Sequence, residues 1–293
     1  MPISSAFMIA SGSKRLRKIA QYALLLVPAL AGLSMPAFAG FTVFESAGAN
    51  PAAITPTRDD FRAAVGGGVA AAANGDFGGV RREINWDGVG AAFADPNALP
   101  ANFFNVNSPR GVVFSTPGTG FMVSANAGGA TPTLFGFPGD LQPFSAQKLF
   151  ATVGSNTMDI QFFVPGTSTV ASTRAFAVVF ADLEANDAID FTKVEFFDSN
   201  NSLLFSRKGL VAGNQGLSFL GAVANAGEQI AKVRITTPNN YLLSNGVRLN
   251  EDHDFVVMDD FLYATPAAVP EPEVWAMALV GLALVGWRVR KRA

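Results

Sequence analysis

Ala175-Phe176-Ala177-Val178-Val179-Phe180-Ala181 contains no charged or polar side chain. A continuous apolar run of this length reads as a strand buried in a sandwich. The neighbouring stretches have the other strand signature. Thr157-Met158-Asp159-Ile160-Gln161-Phe162-Phe163-Val164 alternates and stops at Pro165-Gly166. In residues 189–197, Phe191, Lys193, Glu195 and Phe197 take one side, and Thr192, Val194 and Phe196 take the other. Asp198-Ser199-Asn200-Asn201 turns the chain, and residues 203–206 return. Residues 217–221, 230–236 and 255–263 add three strands. Short strands punctuated by turns predict an all-β, jelly-roll-like sandwich. There is no βαβ alternation. One short helix is expected over residues 57–65, with Thr57 as its cap and Asp59 and Asp60 in its first turn.

Composition agrees with a β protein. The chain has 293 residues, with Gly 29 and Phe 26 against Tyr 3. Glycine weakens helices, and Phe, Val and Thr suit strands. Cys 0 excludes disulfides, thiolate metal sites and cysteine nucleophiles, so the core must hold the fold. The formal charge of −2 is unevenly spread. Four cations (Lys14, Arg15, Arg17, Lys18) lie near the start, and four (Arg288, Arg290, Lys291, Arg292) lie at the end. Residues 40–266 keep 13 basic against 21 acidic side chains, a balance of −8. That balance argues against nucleic acid as a partner and is compatible with divalent cations.

Both ends read as sorting signals. Lys14-Arg15-Leu16-Arg17-Lys18, the apolar residues 19–33 and Ala37-Phe38-Ala39 form a signal peptide over residues 1–39. The expected cut falls after Ala39, leaving Gly40 first. The expected β-sandwich domain spans residues 40–265. Residues 266–273 form a proline-containing linker, and residues 274–293 hold a C-terminal transmembrane helix with a basic tail. The apolar part, residues 274–287, is short for a span. The cations after it argue for insertion with the C-terminus inside, and Trp275 and Trp287 suit the two interfaces.

Candidate sites are sparse. Asp182, Glu184 and Asn186 place oxygen ligands at alternate loop positions after the buried strand, and Asp259 and Asp260 lie on the last strand. Neighbours on a strand face opposite ways, so one of the last two should point inward and need a partner or a cation. Together these five residues are the candidate calcium ligands. Asp187 and Lys193 occupy positions where an EF-hand needs Gly and Glu, which rules that motif out. His253 is the only histidine, which excludes a His-rich zinc site. No G-x-S-x-G, P-loop or dinucleotide fingerprint occurs. Trp86 is the candidate sugar platform, with a core role as its competitor. Glu83 and Asp87 are about 13 Å apart along a strand, a poor pair for glycoside hydrolysis.

Val269-Pro270-Glu271-Pro272, the apolar residues 274–287 and the terminal cations together resemble the PEP-CTERM sorting domain of Gram-negative, biofilm-forming bacteria. Glu273 stands where that family commonly has a small or hydroxyl residue. The resemblance implies recognition of Pro270, Glu271 and Pro272 by an exosortase-type transpeptidase. It also implies an earlier passage through the export translocon and signal peptidase. The protein would rest briefly in the inner membrane, then move to the cell surface, outer envelope or extracellular matrix. Val256-Val257-Met258-Asp259-Asp260-Phe261 resembles the closing strand of extracellular jelly-roll modules, which implies calcium or carbohydrate as ligand. The expected function is structural or adhesive, with extracellular polysaccharide as a candidate partner. A secreted polysaccharide hydrolase is the rival.

Overall fold

A computed structural model describes residues 40–67, 80–244, 248–250 and 252–269. Its strands are, in chain order, β1 (Phe41–Gly48), β2 (Arg81–Ile84), β3 (Val112–Ser115), β4 (Gly120–Val123) and β5 (Phe150–Val153). Then come β6 (Thr157–Phe162), β7 (Ala171–Ser172), β8 (Ala175–Ala181), β9 (Lys193–Phe197) and β10 (Leu203–Lys208). β11 (Leu217–Ala224), β12 (Lys232–Thr236), β13 (Val257–Ala264) and β14 (Ala267–Ala268) complete the set. One sheet has seven strands in the order β1-β11-β8-β13-β5-β4, with β2 also paired to β13. The second has five, β10-β9-β12-β6-β3, and β14 pairs with β7 apart from both. The pairings within these sheets are antiparallel.

β8 shows why its sequence lacks polar residues. Phe176, Val178 and Phe180 enter the core between the sheets, among Trp86, Phe114, Phe196 and Phe261. Ala175, Ala177, Val179 and Ala181 face a second core on the far side of the same sheet. That second core is covered by helix α1 (Pro51–Val65), through Ile54, Phe61 and Val65, and by the segment holding Phe135, Leu141 and Phe144. A strand buried on both faces has no position for a polar residue. The small residues matter on the helix side. A Cβ at Gly221, on β11, would lie 2.7 Å from the Ala177 Cβ and 2.8 Å from the Phe61 ring.

The sheets of seven and five strands depart from the expected jelly roll, which pairs eight strands as two Greek keys. The helix also departs from expectation by starting at Pro51, ahead of Thr57. Pro51 supplies a fixed φ at the first helical position, where its missing N–H costs nothing. Pro56 falls inside the helix, near its start.

The expected transmembrane helix is corrected as well. Residues 274–287 lie outside the described residues, as do the sorting motif Pro270, Glu271 and Pro272 and the leader residues Ala37 and Ala39. No helix among the described residues is long and apolar enough to cross a membrane. The longest, α1, carries Arg58, Asp59, Asp60 and Arg62. Against the expected architecture and its inner-membrane stage, the described residues therefore supply no helix that could form the span.

Candidate cation site

The five residues expected to share a calcium ion are divided between two places. Asp182 and Glu184 follow β8, and the carboxylate that joins them is Asp254, just before β13. Ligand oxygens of Asp182, Glu184 and Asp254 all lie within 4.8 Å of one another. Asp259 and Asp260 are absent from this group and from the cleft around it. Asn186 donates its side-chain N–H to the Gly209 carbonyl.

Backbone geometry builds the cluster. Asp182, directly after β8, has φ +68°, a left-handed conformation that swings the chain out of the sheet. Its residue is 2 % exposed, and Oδ1 accepts from the Gln215 N–H at 2.9 Å. Oδ2 of Asp254 accepts from the Glu184 and Ala185 N–H groups at 2.9 and 3.1 Å. That clamp brings the strand ends together and sets Asp254 beside Glu184. Oδ1 of Asp254 is buried without a hydrogen-bond partner among the described residues. Burial pushes the Asp182 carboxyl up to about 7, against the Gln215 N–H, and the charges of Asp254, Glu184 and Asp140 add to the rise. Burial likewise lifts Asp254 to about 6, partly offset by its N–H donors.

The cluster sits in a cleft of about 410 Å³ whose wall includes Asp140, Asp190, Asp252, Arg248 and His253. Arg248 pairs with Asp140 at 2.8 Å, and His253 Nδ1 lies 2.8 Å from Asp190. The described ion pairs of the cleft engage Asp140 and Asp190, and none engages Asp182, Glu184 or Asp254. An all-oxygen donor set suits a hard cation such as calcium or magnesium better than zinc. Asp254 was legible only as part of Glu251-Asp252-His253-Asp254, a stretch in which the histidine is the conspicuous residue.

Asp259 and Asp260 have a different setting. The register of β13 against β8 slips between Met258 and Phe261. This β-bulge breaks the alternation, and because both faces of β13 are covered, both neighbours are buried. Asp259 accepts from the Phe144 and Ser145 N–H groups at 2.6 and 3.2 Å, fastening that segment to the sheet. Oδ1 of Asp260 is buried without a hydrogen-bond partner among the described residues. Burial raises both carboxyls. The neighbouring charge of Asp260 adds to the rise at Asp259, while Glu83 raises Asp260 and Arg58 opposes it.

A raised carboxyl favours folding at low pH and loses that contribution as pH climbs from about 4 toward neutrality. Wild-type stability should therefore fall between mildly acidic and mildly alkaline pH by about 1–3 kcal/mol more than that of Asp260→Asn. Urea midpoints across that range measure the difference. Equal slopes for the two chains would contradict a raised Asp260 carboxyl.

Trp86 is not a sugar platform. It is 0 % exposed and stacks on Phe150 with centroids 4.0 Å apart and planes within 3°. The groove with an exposed tryptophan that would favour a hydrolase is therefore not formed around it. Glu83 is held by Arg62 and Arg81, and Asp87 accepts the Lys148 N–H. No protein-family model matches this chain, and no curated protein matches it in sequence.

Proposed function

We propose that this chain is an exported structural or adhesive β-sandwich whose strand ends are fastened by a divalent cation, with calcium the preferred ion. The observation that carries the cation is the convergence of Asp182, Glu184 and Asp254, none of which forms an ion pair with a cationic side chain among the described residues. Bringing three like charges together is unfavourable unless protons or a cation compensate. A bound ion would tie the end of β8 to the start of β13. No catalytic role is assigned to these residues. Export is supported by the leader pattern of residues 1–39, and surface sorting by the resemblance of Pro270-Glu271-Pro272 to an exosortase recognition motif. A signal peptidase and an exosortase-type enzyme are the partners this reading implies.

Saturating calcium should raise the melting temperature, by the equivalent of about 2.7 kcal/mol at 100 times Kd. Asp254→Asn should be as stable as wild type, or more so, in chelator, because it removes repulsion. The same variant should gain nothing from calcium. Scanning calorimetry of both chains, with calcium, magnesium and chelator, checks this. A variant weaker than wild type in chelator, with neither chain responding to either ion, would make Asp254 a purely structural acid.

A further inference from the structure

The first described residue, Gly40, is held on both sides of its peptide unit. Its N–H donates to Glu228 Oε1 at 2.6 Å, and its carbonyl accepts from the Asn225 N–H at 2.9 Å. Thr42 Oγ1 donates to Asn225 Oδ1 at 3.0 Å. These contacts fix the register in which Phe41 pairs with Ala224 at the start of β1. Glu228 lies in the turn between β11 and β12, and its other oxygen accepts from the Ala226 N–H at 2.9 Å. Both carboxylate oxygens are thus committed to backbone N–H groups, one of them at Gly40.

Gly40 is also the residue that follows the Ala37-Phe38-Ala39 cleavage pattern. Hydrolysis of the Ala39–Gly40 amide by water leaves a carboxylate on Ala39 and an amine on Gly40, and the amine takes up a proton near neutral pH. The nitrogen facing Glu228 then changes from a neutral amide to an ammonium, and the hydrogen bond becomes charge-assisted. We propose that Glu228 is a preformed receptor for the new N-terminus, so that removal of the leader locks β1 into the seven-stranded sheet. This rests on the export reading above. Burial works to raise the Glu228 carboxyl, but the N–H groups of Gly40, Ala226 and Glu228 itself hold it below its ordinary value, so it is ionised when the amine forms. The lock would operate where the amine is charged. Its contribution is complete while Glu228 is ionised and pH lies below the ordinary amine value of about 8, and it fades as pH rises beyond that.

The test uses the processed protein from an exporting host. Its intact mass gives the N-terminus, expected at Gly40. Selective acetylation of the α-amine then restores the neutral acyl nitrogen of the precursor without changing any side chain. Acetylation should lower the melting temperature by about 2–4 °C near neutral pH. In Glu228→Gln, which keeps an acceptor oxygen but no charge, acetylation should change nothing. An N-terminus elsewhere overturns both the cleavage assignment and the lock. An N-terminus at Gly40 with no effect of acetylation, or with an effect that survives in Glu228→Gln, overturns the lock and leaves the export reading standing.

Discussion

Trp86→Ala is expected to lower the unfolding free energy by about 3–5 kcal/mol, the range for deleting a large buried aromatic side chain. Trp86 joins several neighbours at once. It stacks on Phe150 and meets Phe104 and Phe261 edge-on at 5.5 and 5.1 Å. Its indole N–H donates to the Asp259 carbonyl at 2.8 Å, within the β13 bulge. Bulges leave a residue unpaired in the ladder, and this indole supplies the donor. Alanine would leave both a cavity and a buried carbonyl without its donor. Trp86→Phe should cost less, about 1–3 kcal/mol, because much of the volume stays while the donor goes. Urea unfolding of the three chains gives the comparison. If Trp86→Ala costs under about 1 kcal/mol, the residue is not a core anchor.

Glu83→Gln should be about as damaging, at about 3–5 kcal/mol. Glu83 receives Arg62 on both oxygens, at 2.8 and 2.5 Å, and Arg81 at 2.8 Å. All three side chains are buried. Arg81 also donates to the Arg62 and Gly66 carbonyls, which satisfies the end of helix α1. The network therefore joins α1 to β2, and through β2 to β13. Removing its carboxylate takes the 2.8 Å ion pair from buried Arg81 and leaves Arg62, among the described residues, with the half-exposed Asp59, 3.2 Å away. Replacing Arg62 and Glu83 together by apolar residues should cost less than Glu83→Gln alone, because a buried charge is worse unpaired than absent. Denaturation midpoints for the single and double variants measure this ordering.

The strands were legible where a single rule governed the residues. The alternation of Thr157–Phe162 and the uninterrupted apolar run of β8 each correspond to a strand. What periodicity left open was why β8 has no polar side. The reason is tertiary, since α1 and the segment around Phe144 cover its second face. The α1 boundary was misjudged because Thr57 and the acids after it make a plausible start, whereas Pro51 provides an earlier one. Asp259 and Asp260 were misread for a different reason. Strand alternation sends neighbours to opposite faces, and a bulge suspends that rule without leaving a mark in the local sequence. Two of the three residues of the candidate site, Asp182 and Glu184, were visible in the sequence. Asp254 is 70 residues beyond Glu184, and only the pairing of β8 with β13 brings it in.

The proposed cation site is built from Asp182, Glu184 and Asp254. Isothermal titration of calcium into the chelator-stripped protein tests it most directly. One ion per chain should bind, and binding should be lost in Asp254→Asn while the variant stays folded by circular dichroism. Absence of binding by the folded wild-type chain, or binding that persists unchanged in Asp254→Asn, would contradict the site.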